Sequence, residues 1–156
     1  MSAVIGIGGY AAAGLAATGS PTRGPLSSDT LAQIQADLHS AMTLELVAVA
    51  DIKKGTPKAN KNLLIALRQA SAHLTAASTA LAAAGFRASP PYNPISNAAN
   101  AVNAAVSSRQ PAKTRIAALH GATDFETKAL ALLPALAVAP STTTATVTTP
   151  QTTTSG

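Results

Sequence analysis

Two glutamates and three histidines, Glu45, Glu126, His39, His73 and His120, are the side chains of this sequence best suited to acid–base work or metal ligation inside a folded domain. Di-metal centres in helical bundles draw on Glu-x-x-His pairs that project inward from facing helices. Neither glutamate here has a histidine three positions on, and no His-x-x-x-His occurs. Four carboxylates around one centre would be hard to gather from the six of the whole chain. There is no cysteine, which excludes disulfides, thiolate metal sites and a cysteine nucleophile. GIGG at 6–9 lacks the Gly-Lys-Ser/Thr ending of a phosphate loop. The many Ser and Thr residues sit in no nucleophile elbow. No catalytic residue, metal or cofactor is therefore expected.

The two glutamates still stand out by position. Glu45 falls near the apolar stripe of a helix read over 29–54, and Glu126 falls on the stripe of a later one. A buried carboxylate needs a partner. Arg68, His73 or His120 would supply one as a structural ion pair; otherwise each glutamate sits at an edge and reaches solvent.

Cations are distributed unevenly. KKGTPKANK at 53–61 contains Lys53, Lys54, Lys58 and Lys61, and RQPAKTR at 109–115 contains Arg109, Lys113 and Arg115. Together they are seven of the 11 Lys and Arg residues. Lys53, Lys54 and Arg109 complement the negative ends of helix dipoles, whereas Lys58, Lys61, Lys113 and Arg115 sit near helix N-termini, where positive charge is unfavourable. The second group has no stabilising role within its own helix. It implies either a solubilising end or a surface facing an anion: a nucleic-acid backbone, lipid headgroups or an acidic protein face. No aromatic residue is interleaved for base stacking.

The elements that carry these residues are helical. The chain is 47% hydrophobic, largely through alanine, and only 11% charged, against about 25% in a typical globular chain. Alanine buries little area, so the core depends on close backbone approach. A helix from Asp29 to Lys54 is capped by Ser28 or Asp29 and stopped by Gly55 and Pro57. Its inward stripe reads Leu31, Ile34, Leu38, Met42, Leu46, Val49 and Ile52, while Leu44 and Val47 point elsewhere and mark a second contact surface. A second helix, Pro57 to Ala84, starts at the Thr56 cap and ends at Gly85. It carries Leu63, Leu67, Ala70, Leu74, Ala77, Leu81 and Ala84 at alternating four- and three-residue spacing, a heptad seam. A third follows the Asn93 cap and Pro94, with Ile95, Ala99, Val102 and Val106 on one side and Asn97, Asn100 and Asn103 on the other. A fourth runs from about Pro111 to Pro134 with Ile116, Leu119, Leu130 and Leu133, weakened in the middle by Gly121.

Short connections favour antiparallel neighbours. The expected fold is all-α, an up-down-up-down four-helix bundle over 29–138 whose two cationic turns share a pole. Flanking it are a Gly/Ala-rich arm over 1–28 and a Thr-rich low-complexity tail over 139–156. Residues 2–22 carry no charge. They read as an arm packing on a neighbouring subunit, as a membrane-inserting or interfacial segment, or as an atypical signal.

Low surface charge, a doubly apolar first helix and two terminal arms lead to a functional expectation. The protein is a non-enzymatic structural subunit of a larger assembly, a virion, coat or filament component, with other protein subunits as partners. The alternative is an exported or membrane-tethered envelope protein anchored by residues 2–22.

Overall fold

The computed structural model describes residues 24–137, apart from 108. The segments 1–23 and 138–156, with the expected anchor and tail and most of the arm expected over 1–28, lie outside the described residues. Five helices follow in order: α1 (Ser28–Lys54), α2 (Pro57–Ala83), α3 (Tyr92–Val106), α4 (Ala112–Leu132) and the single turn α5 (Pro134–Ala137). No strand occurs among the described residues.

Local chemistry accounts for the boundaries. The side chain of Ser27, rather than Ser28 or Asp29, caps α1, its Oγ accepting from the Thr30 N–H at 3.2 Å. Gly55 closes α1 in the left-handed conformation, φ 62°, and donates its N–H to the Asp51 carbonyl. Thr56 caps α2 through the Ala59 N–H, and Pro57 occupies the first helical position. α2 ends at Ala83, so Ala84, expected at the end of its seam, is an exposed cap. α3 starts at Tyr92 without a side-chain cap, ahead of the expected Asn93. Pro94 is tolerated there because the N–H groups of a first turn have no intrahelical acceptor. Gly121 does not break α4.

The four long helices touch in a ring, α1–α2–α3–α4–α1, with α1–α4 the thinnest of the four seams. This is an all-helical four-helix bundle. The Leu26 N–H donates to the Leu136 carbonyl at 2.7 Å, so the described chain enters and leaves at one pole. At the other pole, Asn60, Leu63 and Leu64 of α2 share a hollow with Val106 of α3 and Arg115 of α4. The α1–α2 and α3–α4 turns therefore lie together, as the up-down-up-down order requires.

Each helix presents a heptad seam to the core. On α2 it is Leu63, Leu67, Ala70, Leu74, Ala77 and Leu81, all buried as the spacing predicts. α3 adds Ile95, Ala98, Val102 and Ala105, and α4 adds Leu119, Ala122, Glu126, Ala129 and Leu133. Asn97, Asn100 and Asn103 are exposed; Asn103 Oδ1 accepts from Ser71 Oγ of α2 at 3.2 Å. Burying each large aliphatic side chain contributes about 1.5–3 kcal/mol, and the alanine layers between them let the backbones approach.

α1 differs from its expected stripe. The buried seam is Ile34, Leu38, Ala41, Glu45, Ala48 and Ile52, at spacings of four, three, four, three and four, with Asp37 and Asp51 also buried beside it. Met42 and Val49 are only partly buried, and Leu46, expected inward, is 65% exposed. The bulky residues 42, 46 and 49 each stand one position after a seam residue, a turn of about 100° around the axis.

Candidate functional site

Three features of this scaffold are capable of function: the cationic pole, an uncovered apolar face next to it, and a carboxyl pair in the core.

At the cationic pole, Lys53, Lys54, Lys58, Lys61, Arg109 and Lys113 are exposed. Arg115 is half-buried, and its Nε–H donates to the Ala105 carbonyl at 2.7 Å. That carbonyl belongs to the last turn of α3, which lacks intrahelical donors. Arg115 thus has a stabilising role after all, on the neighbouring helix rather than its own. Lys54 Nζ lies 3.5 Å from Asp51 Oδ1. With the lysine largely exposed, such a pair adds little stability. The remaining five cations, Lys53, Lys58, Lys61, Arg109 and Lys113, make no ion pair or cap at this pole that the structure describes.

The apolar face lies between α1 and α2. Leu44, Val47, Ile65 and Ala66 line a groove there, with Asp51, Lys54, Asn62 and Gln69 along it. Val47 is 47% exposed and Ile65 55%. Leu44 and Val47 were expected on such a surface; Ile65 was not, and the exposed Leu64 lies instead toward α3, beside Val106 and Arg115. The signal was present in LLI at 63–65, because three consecutive apolar residues cannot share one stripe of a helix. Of the five large hydrophobic residues exposed among the described residues, only Leu132 lies outside α1 and α2.

The core pair is Glu45 and Glu126. Both occupy seam positions, 1% and 0% exposed, and face each other across the α1–α4 seam closely enough for each to shift the acidity of the other. None of the expected cationic partners reaches them. Arg68 and His120 are exposed, and His73 Nδ1 lies 2.8 Å from Asp37 Oδ1, in a group completed by Gln33. Thr123 Oγ–H donates to Glu45 Oε2 at 2.8 Å. Glu45 Oε1 and both Glu126 oxygens are buried with no conventional donor.

Desolvation dominates the acidity of the pair. Burial pushes the Glu45 carboxyl up to about 7, against the opposing effects of the Thr123 hydroxyl and the Glu126 carboxyl. Burial pushes Glu126 further, to about 9, with the charge and the nearness of the Glu45 carboxyl adding to the rise. A carboxylic acid on one side donating to a carboxylate on the other gives two of the four oxygens a partner. Stripped of protons, the pair would be two like charges in an apolar core.

Among the described residues no three His, Asp or Glu side chains gather in a metal-ligating group, and no helix is long and apolar enough to cross a membrane. No family model matches this chain, and no curated protein and no solved structure is significantly similar to it.

Proposed function

We propose that this protein is a non-enzymatic structural subunit of a larger assembly, of the coat or particle type, which docks on other protein subunits through the α1–α2 face. The observation that carries the reading is the groove between α1 and α2, lined by Leu44, Val47 and Ile65, with Val47 47% and Ile65 55% exposed. Water-exposed apolar side chains of this size gain about 25 cal/mol for each Å² that a partner covers. The five cations of the adjoining pole give the same end of the molecule a positive potential, which favours an acidic protein surface and leaves nucleic-acid phosphates or anionic lipid as other anions of the same kind. The low overall charge supports the reading: a surface with 11% charged residues in the chain has little to keep copies apart.

Light scattering on the purified chain tests it. The wild type is expected above monomer mass at micromolar concentration. Val47→Asp with Ile65→Asp is expected to return it to a folded monomer, because both side chains are already partly in water and the charges meet no core residue. In the same assay, Lys58→Glu with Lys113→Glu should weaken capture of an acidic partner without unfolding the bundle. A wild type that stays monomeric at high concentration, alone and with candidate partners, would remove the assembly reading.

A further inference from the structure

A buried acid pair in an apolar bundle core needs an explanation of its own, since an assembly subunit needs no carboxyls there. We infer that Glu45 and Glu126 form a proton-held latch: a proton shared between the two carboxyls closes the α1–α4 seam, and its loss to solvent loosens that seam.

The argument starts from placement. Glu45 sits in line with Leu38 and Ile52 on α1, and Glu126 in line with Leu119 and Leu133 on α4, all at seam spacing. The two carboxyls meet where the ring of helices is thinnest. Among the described residues no cation pairs with them. Every buried residue of α2 and of α3 is apolar, and α5 buries none. The other buried acids of α1 are already engaged, Asp37 with His73 and Gln33, and Asp51 with Lys54. On α4, His120, Asp124 and Lys128 are exposed. Among the described residues the one polar neighbour that donates to the pair is Thr123, and its hydroxyl has one proton to give.

Three of the four carboxyl oxygens have no conventional donor, so a proton on one carboxyl is the group that can hold them together. With the proton in place the pair is an acid donating to a carboxylate or to a second acid. Without it, two carboxylates in the interior repel, and the relief open to them is to part and admit water. Parting them separates α1 from α4 and leaves the apolar α1–α2 and α3–α4 contacts intact. Burial weakens both acids, raising their pKa values to about 7 and about 9, which puts the change in the neutral to alkaline range. This inference is independent of whether the α1–α2 face docks.

The absence of cysteine allows a clean test on the full chain. Spin labels are attached at Ala50→Cys and Ala117→Cys, exposed alanines on α1 and α4, and at a control pair, Ala72→Cys and Ala104→Cys, on α2 and α3. From about pH 6 to about pH 9.5 the α1–α4 distance distribution is expected to broaden and lengthen, with the open-to-closed ratio rising up to roughly tenfold per pH unit for each proton released. The control pair is expected to stay constant, and Glu126→Gln is expected to abolish the change. A distance distribution that ignores pH, or one that responds equally in Glu126→Gln, overturns the latch. Should Glu126→Gln fail to fold, infrared spectra of the unsubstituted chain decide: a protonated-carboxyl band at neutral pH that disappears at alkaline pH upholds the latch, and its absence at neutral pH overturns it.

Discussion

The seam of α2 and the seam between α1 and α4 are built on the same spacing and differ in one residue type. On α2, all seven buried positions from Leu63 to Leu81 are Leu or Ala. On α1 and α4 the same three- and four-residue steps lead through Ile34, Leu38 and Ile52, and through Leu119 and Leu133, but each passes through a glutamate. Spacing decides which side chains enter the core. Residue type decides whether entry stabilises the fold under all conditions or only while a proton is bound. The apolar seam has no titratable member, so its contribution is independent of pH. The α1–α4 seam changes with proton activity at its midpoint.

The apolar side of this contrast yields the largest expected effect. Leu74 is fully buried in the middle of the α2 seam, with Ala70 and Ala77 on either side. Truncating it as Leu74→Ala leaves a cavity that the small neighbours cannot fill, at a cost of about 2–5 kcal/mol. Urea denaturation of the two proteins at one pH measures this. A loss below about 1 kcal/mol would mean that α2 is not a core helix of the ring.

Removing the carboxyls should act in the opposite direction. Replacing a buried ionic group by a well-packed hydrophobic residue of similar volume is often stabilising by about 1–4 kcal/mol. Glu45→Leu with Glu126→Leu is expected in that range at alkaline pH. The sign follows from the protons. Both folded-state values, about 7 and about 9, lie above the ordinary 4.5, so the folded chain keeps protons that the unfolded chain releases. The pair therefore imposes no penalty below about pH 4.5, a growing one from there through about 7 and about 9, and its full penalty above. The stability difference between double variant and wild type should rise steadily over that window. Denaturation at about pH 5 and about pH 9 reads it, and a constant difference would show that the two carboxyls do not change protonation on folding.

The sequence made the two seams unequally legible. On α2, bulky leucines and alanines occupy the seam and nothing bulky competes until LLI at 63–65, so periodicity alone finds the inward face. On α1 the largest apolar residues of the middle, Met42, Leu46 and Val49, lie one step past the true seam, which is filled by Ala41, Glu45 and Ala48. A stripe drawn through the most hydrophobic positions therefore rotates away from the core. Small residues are buried there because backbones approach closely, and a glutamate is buried because another carboxyl faces it. Neither cause can be read from one helix in isolation. The carboxyl pair was half legible for the same reason. Local pattern puts each glutamate near a stripe, but the register of α1 against α4 decides that they meet. At the cationic pole, turn chemistry foretold the gathering of charge, through Gly55, Thr56 and Pro57 on one side and Pro111 on the other. What Arg115 does there depends on a carbonyl ten residues away on α3, which spacing does not reveal.

The smallest expected effect is the sharpest check on that rotated face. Leu46 is the residue that hydropathy most firmly assigns to the α1 interior, yet it is 65% exposed. Leu46→Gln exchanges one good helix former for another of similar length, and adds an amide that water can satisfy. In a dilute monomeric sample its effect on stability should fall within about 0.5 kcal/mol, the usual range for surface changes away from a cap or a core contact. Leu38, eight residues earlier and fully buried, provides the contrast: Leu38→Ala should cost several times more. If Leu46→Gln instead proves as costly as Leu38→Ala in the isolated monomer, then α1 is turned by about one residue from the orientation described. Glu45 would then leave the core, and the carboxyl pair would come apart with it.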